Sequence, residues 1–420
     1  MSRVIRSLFG FLAPRLDYAC DELPLVTISL PKNAVILIPP RTHGDAGGIL
    51  SLSVGDWIKT GGRILDTNGE ILAFSPVTGK IEDISPLACI DEVFTAVSVA
   101  LSDKEETDPQ SRGVDGYLDM EPVSIIETLR RAGFRFRVDE KGWDAAVINC
   151  LESDILISTQ AHILAEYGDL IRRGIRLLRK MAGGTVVIAV RKELRAKAET
   201  ILTGEGSEIA DVEVVKAAYP AGCDEILTSF LRRKIERPLI LSPMTLASMV
   251  HYLENGHPVF EKIFTLIDRN NQRINIRARI GTPISHILRE ADINIGAGDK
   301  LVLGGSMRGR PAFHAEFPIT ESIDAVMVQD RNAIVRYENN ACTNCGRCVA
   351  VCPIRLQVHL LCRYSEFSLF DRCKDFAIDS CIECGLCAYV CPSRRALLQY
   401  IMLAKKEIAR LERNNAHAST

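Results

Sequence analysis

Apolar positions along the first hundred residues come in short runs broken by Gly and Pro. ISLPKNAVILIPP, GGILSLSVGDWIKTGGRIL and GEILAFSPVTGKIEDI follow one another between Val26 and Val99, a pattern that predicts a small all-β domain over 26–101. The polar, turn-rich stretch SDKEETDPQSRGVDG reads as a linker over 102–116. The periodicity then changes. SIIETLRRAGF predicts a helix, AAVINC a buried strand, ILAEYGDLIRRGIRLLRKM a helix and TVVIAV another strand. A further helix is expected over Lys192 to Leu202, then the strand VEVVKA, then a helix near Asp224 to Arg232. Strands that alternate with helices pair in parallel, so 117–250 is an α/β domain with any ligand crevice at its short βα loops. From His257 to Leu303 short strands return in PVFEKIFTLI, QRINIRARIGTPISHIL and DKLVLGG, which predicts a small α+β module over 251–312. ALLQYIMLAKKEIARLE repeats apolar positions at helical spacing, and the final ERNNAHAST is expected to be disordered over 409–420.

A chain of 420 residues predicts two to four such units, and 47% hydrophobic with 25% charged residues describes a folded protein. The formal net charge of −2 gives no pull toward nucleic acid. No run reaches the roughly 18 apolar residues of a membrane span, since even Arg237 to Val250 is interrupted by Pro, Ser and Thr. Met1 to Cys20 lacks the apolar core and cleavage site of a secretory signal, so the expected compartment is the reducing cytoplasm. Within the extension over 1–25, SRVIRSLFGFLAPRL mixes arginines with Phe and Leu. It reads either as a segment docking on a membrane surface or partner, or as a frayed terminus.

Cysteine usage carries the chemistry. Of 14 cysteines, eight fall into two runs: Cys342, Cys345, Cys348 and Cys352 before Pro353, and Cys381, Cys384, Cys387 and Cys391 before Pro392. Both spell CxxCxxCxxxCP, in which three closely spaced thiolates wrap one face of a cubane and the fourth belongs to the other cluster. Cys342, Cys345, Cys348 and Cys391 are therefore expected on one 4Fe–4S cluster, and Cys381, Cys384, Cys387 and Cys352 on a second. Zinc is the competing occupant of paired CxxC motifs, but a tetrahedral site leaves the third evenly spaced cysteine and the paired CP endings unused. Gly346 and Gly385 let the backbone approach a cubane closely. The 28 residues between the runs suit two short helices, which makes 338–408 a helical ferredoxin domain.

Cys362 and Cys373 lie off the motif spacing and read as core residues, as do the isolated Cys20, Cys89, Cys150 and Cys223. Arg347, Arg355, Arg363, Arg394 and Arg395 either offset the charge of the clusters or form a solvated face. The eight histidines have no metal spacing.

VGDWIKTGGRIL and FSPVTGKI resemble the half-motifs of barrel-sandwich-hybrid domains. The tip ILAFSPVTG has no lysine before the turn, so a structural or docking role is expected there rather than cofactor carriage. With CTNCGRCVAVCP, DSCIECGLCAYVCPS and LLQYIMLAKKEI added, the order of units resembles the C subunit of Rnf-type electron transport complexes. AAVINCLESD and AAYPAGCDEIL are local echoes of that family. The resemblance implies a Rossmann-like α/β domain similar to the flavin-binding subunit of respiratory complex I. It also implies a β-grasp-like module around IGTPI and a helical dicluster ferredoxin domain. In the family a glycine-rich loop cradles FMN and admits NADH. Here the text after SIIETLRRAG continues FRFRVDEKGWDAAV, with no glycine cluster, which puts FMN in doubt. Glu152 and Asp154 match the paired acids of the family's strand end near flavin and nicotinamide, or else form a solvated strand terminus. GGSMRGRP at Gly304 to Pro311 stands where the family has a glycine turn. It contacts a partner or a cluster, or is a plain β-turn.

The expected function is an electron-relay subunit with two 4Fe–4S clusters, peripheral at the inner face of the cell membrane. Its expected partners are the membrane subunits of an Rnf-like complex and an electron donor or acceptor protein. Two competitors remain: an FMN-containing NADH dehydrogenase or cobalamin-reductase-type flavoprotein subunit, and a scaffold that uses its clusters as structural pins.

Overall fold

The computed structural model describes residues 5–6, 12–40, 50–89, 93–136, 142–202, 210–216, 218–232, 234–338 and 340–418, with side chains between 14 and 413. It is a mixed α/β, multidomain chain. Most of the segment Ser2 to Leu16, read above as a docking segment or frayed end, lies outside the described residues.

In the N-terminal unit, Asn33–Ile38, Val93–Leu101, Gly79–Ala88 and Trp57–Ile58 form an antiparallel sheet in that order, beside the pair Arg63–Leu65 and Ile71–Phe74. Alternation sets its inner face: Ala34, Ile36 and Ile38 point into a core with Ile64, Val77, Ile81, Val97 and Val99. Leu25–Thr27 does not join this sheet. It pairs in parallel with Asn275–Arg277 of a later sheet, because Ile28 beside it buries in that sheet's core. The polar stretch over 102–116 is pinned at both ends. Thr60 N–H donates to the Glu106 carbonyl at 3.0 Å, and Val114 N–H to the Leu253 carbonyl at 2.6 Å.

The central unit is a parallel sheet in the order Asp211–Val214, Thr185–Val190, Ala145–Asn149, Pro238–Leu241. All five residues of Ala145–Asn149 are buried, as expected of a parallel strand covered on both faces. The single helix expected over 163–181 is two, Gln160–Glu166 and Gly168–Ala182, because Tyr167 leaves helical geometry at φ −106° while its ring packs into the core. Gly174 lets the second helix approach Pro243–Asn255: a β-carbon there would stand 2.5 Å from Leu246 Cγ. Ser242 caps Pro243–Asn255, whose last turn ends at Gly256 in the left-handed region, past position 250.

A mixed six-stranded sheet follows, in the order Arg310–Ala312, Lys300–Leu303, Ala325–Gln329, Glu261–Ile267, Arg273–Arg279, Leu25–Thr27. The helix Ile284–Glu290 packs on its core with Phe264, Ile276 and Val326.

The C-terminal part is helical, with Val358–Glu366 and Phe370–Lys374 between the cysteine runs, as the spacer text suggested. Cys362 and Cys373 are buried in its core. Leu397–Ala418 is one helix, so the expected disordered tail over 409–420 is corrected as far as Ala418. Residues of high helix propensity and ion pairs of Lys374 with Glu412 and Arg410 with Glu407 carry it on. Among the described residues no helix is long and apolar enough to cross a membrane.

Candidate iron–sulfur site

The two cysteine runs adopt the same backbone shape. Asn344 and Gly346 have φ of 53° and 71°, and Glu383 and Gly385 at the matching places have 54° and 75°. Arg355 and Arg394, each three residues past the last cysteine of its run, have 60° and 48°. Short helices begin directly after each glycine, at Arg347–Val351 and Leu386–Tyr389. Longer ones begin six residues after Cys352 and Cys391. The left-handed residues reverse the chain between successive thiols, so one run wraps around a point rather than extending past it.

Tertiary packing then brings the fourth cysteine of each run near thiols of the other. The charge neighbours of Cys348 are Cys345, Cys342 and Cys391. Cys352 neighbours both Cys381 and Cys384, and Cys387 neighbours Cys384, Cys381 and Cys348. Cys391 thus lies among the charge neighbours of Cys348 in the first run, and Cys352 among those of Cys381 and Cys384 in the second, while Cys348 and Cys387 face each other. Backbone N–H groups meet the sulfurs: Asn344 donates to Cys342 and Leu356 to Cys352, each at 3.4 Å. The N–H groups of Val349, Glu383, Leu386 and Ala388 favour the thiolates of Cys348, Cys381, Cys384 and Cys387. Burial pushes the free thiols up, Cys348 to about 11 and Cys384 to about 12, so loading metal must displace protons. This donor set, eight soft thiols with amides aimed at sulfur, fits 4Fe–4S cubanes. Among the described residues no group of His, Cys, Asp or Glu closes to the spacing one metal ion needs.

The two sites differ in setting. Cys342 and Cys345 are exposed, whereas Cys384 and Cys387 are buried. The first is an outer site. The second is an inner site, packed on the parallel sheet's loops through one apolar cluster of Tyr18, Tyr219, Cys223, Val351, Ile382, Cys384 and Leu386. Tyr219 Oη donates to the Cys384 carbonyl at 2.7 Å. Burial holds this phenol far above its usual range, so it stays a neutral donor. Of the five arginines near the runs, Arg395 is buried and committed to Glu366 at 2.5 Å and to the Asn340 carbonyl at 2.9 Å. Arg355, Arg363 and Arg394 are exposed.

Glu152 and Asp154 are both buried, at 1% and 0% exposure, which corrects the solvated strand terminus. They do different work. Asp154 accepts from Ser306 N–H at 3.2 Å, Ser306 Oγ at 3.0 Å, Met307 N–H at 2.8 Å and Arg308 N–H at 2.9 Å. It thereby clamps the glycine turn at Gly304 to Pro311, which in turn packs on Gly385 of the inner site. That turn is a cluster-loop support, not a plain β-turn. Glu152 accepts from Gln160 N–H at 3.0 Å and Thr159 Oγ1 at 3.2 Å, so its carboxylate occupies the start of Gln160–Glu166. Burial raises it to about 7, against the lowering pull of those bonds and of Arg191. Sequence reasoning missed Tyr219, Arg308 and Met307, whose roles come from contacts remote along the chain.

The cavity of about 300 Å3 beside Glu152 is lined also by Asp224, Glu225 and Asp324 and by the cations Lys262 and Arg308. The larger cleft, about 1960 Å3, receives Gly133 followed by the bulky Phe134 and Arg135. A β-carbon on Gly133 would meet nothing within 4 Å. The described residues thus do not form the close amide cradle a flavin phosphate needs; residues 137–141 of this loop lie outside the described set. Of the isolated cysteines, Cys150 and Cys223 are buried as expected and Cys89 is half-buried. Cys20 is exposed beside Arg191 Nη1 at 3.2 Å, which corrects its core assignment: it lies in the irregular segment before Leu25–Thr27.

A family model described as "4Fe-4S dicluster domain" matches residues 334–392. The C subunit of the ion-translocating oxidoreductase complex of Vibrio cholerae is 25% identical over 84% of this chain and 49% of its own length. This chain therefore spans about half of that relative. The C subunit of the Na(+)-translocating ferredoxin:NAD(+) oxidoreductase complex of Acetobacterium woodii is 25% identical over 95% of this chain and 96% of its own length. A solved NAD+-reducing NiFe hydrogenase in the H2-reduced state aligns at 13% identity with a TM-score of 0.41, covering 70% of this chain and 65% of that one. Across most of its length the chain resembles the C subunits of ion-translocating oxidoreductase complexes, and it carries a 4Fe–4S dicluster domain at its C-terminal end.

Proposed function

We propose that this chain is the electron-transfer iron–sulfur subunit of an Rnf-type oxidoreductase complex. Cys342, Cys345, Cys348 and Cys391 hold the outer 4Fe–4S cluster, and Cys381, Cys384, Cys387 and Cys352 hold the inner one. The observation that carries this is the repeated backbone shape of the two runs, with the fourth thiol of each near the other run. Each cubane, when bound, takes up and releases one electron. The chain contributes spacing, burial and N–H donors to sulfur rather than acid–base groups. Its domains are a barrel-sandwich hybrid, a flavin-subunit-like α/β domain, a β-grasp-like module and the ferredoxin domain. Its partners are membrane subunits at the inner face of the membrane and a one-electron donor or acceptor protein. Glu152 and Asp154 act as internal supports, with no flavin between them.

Anaerobic purification with iron, acid-labile sulfide and flavin counted together tests this. About eight irons and eight sulfides per chain, as two cubanes require, with no flavin, is the expected result. Zinc, or far less iron, overturns the cluster assignment; stoichiometric FMN with NADH bleaching the clusters favours the entry dehydrogenase. A redox titration separates relay from scaffold: two reversible one-electron waves belong to the relay.

A further inference from the structure

Tyr219 reaches from the loop after the edge strand Asp211–Val214 into the ligand loop of the inner site. Its ring is 5% exposed and its hydroxyl donates to the Cys384 carbonyl at 2.7 Å. The ring is not free to turn away. Tyr18 packs edge-on against it with centroids 6.0 Å apart, Tyr219 N–H donates to the Leu16 carbonyl at 2.8 Å, and Tyr18 Oη accepts from Gly222 N–H at 2.8 Å. From the Cys384 carbonyl the chain turns through Gly385, at φ 75°, and the Leu386 N–H then faces the Cys384 thiol and favours its thiolate.

We infer that Tyr219 is a positioning residue for the inner cluster, acting through the Cys384 carbonyl, and that it raises that cluster's reduction potential. The inference rests on the relay function above. A buried O–H aimed at the ligand loop presents the positive end of its dipole to a site that gains negative charge on reduction, and little water screens it. The same bond fixes the peptide that leads into the Leu386 N–H, so the sulfur keeps its donor. Cys345, the equivalent of Cys384 in the first run, is exposed, so water competes for whatever approaches it.

The test is an EPR-monitored redox titration of the full chain, purified anaerobically with iron and sulfide counted. A Cys348→Ser variant assigns the outer signal. Tyr219→Phe deletes only the hydroxyl. It should retain the iron and weaken reduction of the inner cluster about three- to tenfold, tenfold being about 59 mV for one electron, with the outer cluster unmoved. 3-Fluorotyrosine at position 219, a stronger donor of nearly the same shape, should shift the inner potential upward. Tyr117→Phe, which removes a hydroxyl bonded to Glu254 far from the cysteines, should move neither. Unchanged potentials, equal shifts in both clusters or an upward shift in Tyr219→Phe overturn the inference. If that variant loses the inner cluster, the fluorotyrosine protein decides, and the absence of an upward shift overturns it. Wild-type protein without two clusters would sink the relay function itself, a separate outcome read from the iron count.

Discussion

Gly385 passes so close to Met307 that a β-carbon on it would stand 2.6 Å from the Met307 carbonyl oxygen. The contact joins the inner cysteine loop to the turn that Asp154 clamps, so the parallel sheet, the mixed sheet and the cysteine domain meet at one point. Its counterpart Gly346 has nearly the same left-handed φ, yet a β-carbon there would meet nothing within 4 Å.

That asymmetry separates two otherwise equivalent glycines. Gly346→Ala should cost about 1 to 2 kcal/mol, the penalty of a left-handed alanine. Gly385→Ala adds a clash with backbone, which cannot swing aside, and should cost about 3 kcal/mol in all with loss of inner-site iron. Anaerobic denaturant melts with iron counting check both; equal losses would refute the packing argument.

Asp154→Ala leaves the N–H groups of Met307 and Arg308 without their buried acceptor. A cost of about 1 to 2 kcal/mol is expected, toward the low end of the roughly 1 to 3 kcal/mol of a buried orphan donor because these N–H groups are part-buried. Iron release to a chelator should quicken at the inner site first, because the turn that supports Gly385 loosens.

Glu152 makes stability depend on pH. The folded protein holds its proton up to about 7, against the 4.5 usual for a glutamate, so the folded state binds more protons and stability falls as pH rises through this window. The loss by pH 8 is on the order of 3 kcal/mol. Glu152→Gln keeps an oxygen for Gln160 N–H and cannot ionise, so its melting temperature should vary less between pH 5 and pH 8 than the wild type's.

Cysteine-to-serine changes should sort by spatial group and not by run. Cys391→Ser should disturb the same spectroscopic signal as Cys345→Ser, and Cys352→Ser the same one as Cys384→Ser. Should Cys391→Ser instead pair with Cys384→Ser, the crossed arrangement is wrong.

The two cysteine runs, the buried parallel strands and the helical spacer were legible along the chain because their signals are local: fixed spacing, runs of apolar residues and turn-forming glycines. Other features were not. Leu25–Thr27 crosses to another sheet, Tyr167 splits a helix, and Glu152 and Asp154 are buried supports where the text allowed a solvated strand end. Tyr219 gives no sign, 165 residues from Cys384, that it bonds the inner loop. Periodicity and spacing report which groups lie near one another along the backbone. Burial, and with it the value of a hydrogen bond or the proton affinity of an acid, is set by residues that only the folded chain brings together.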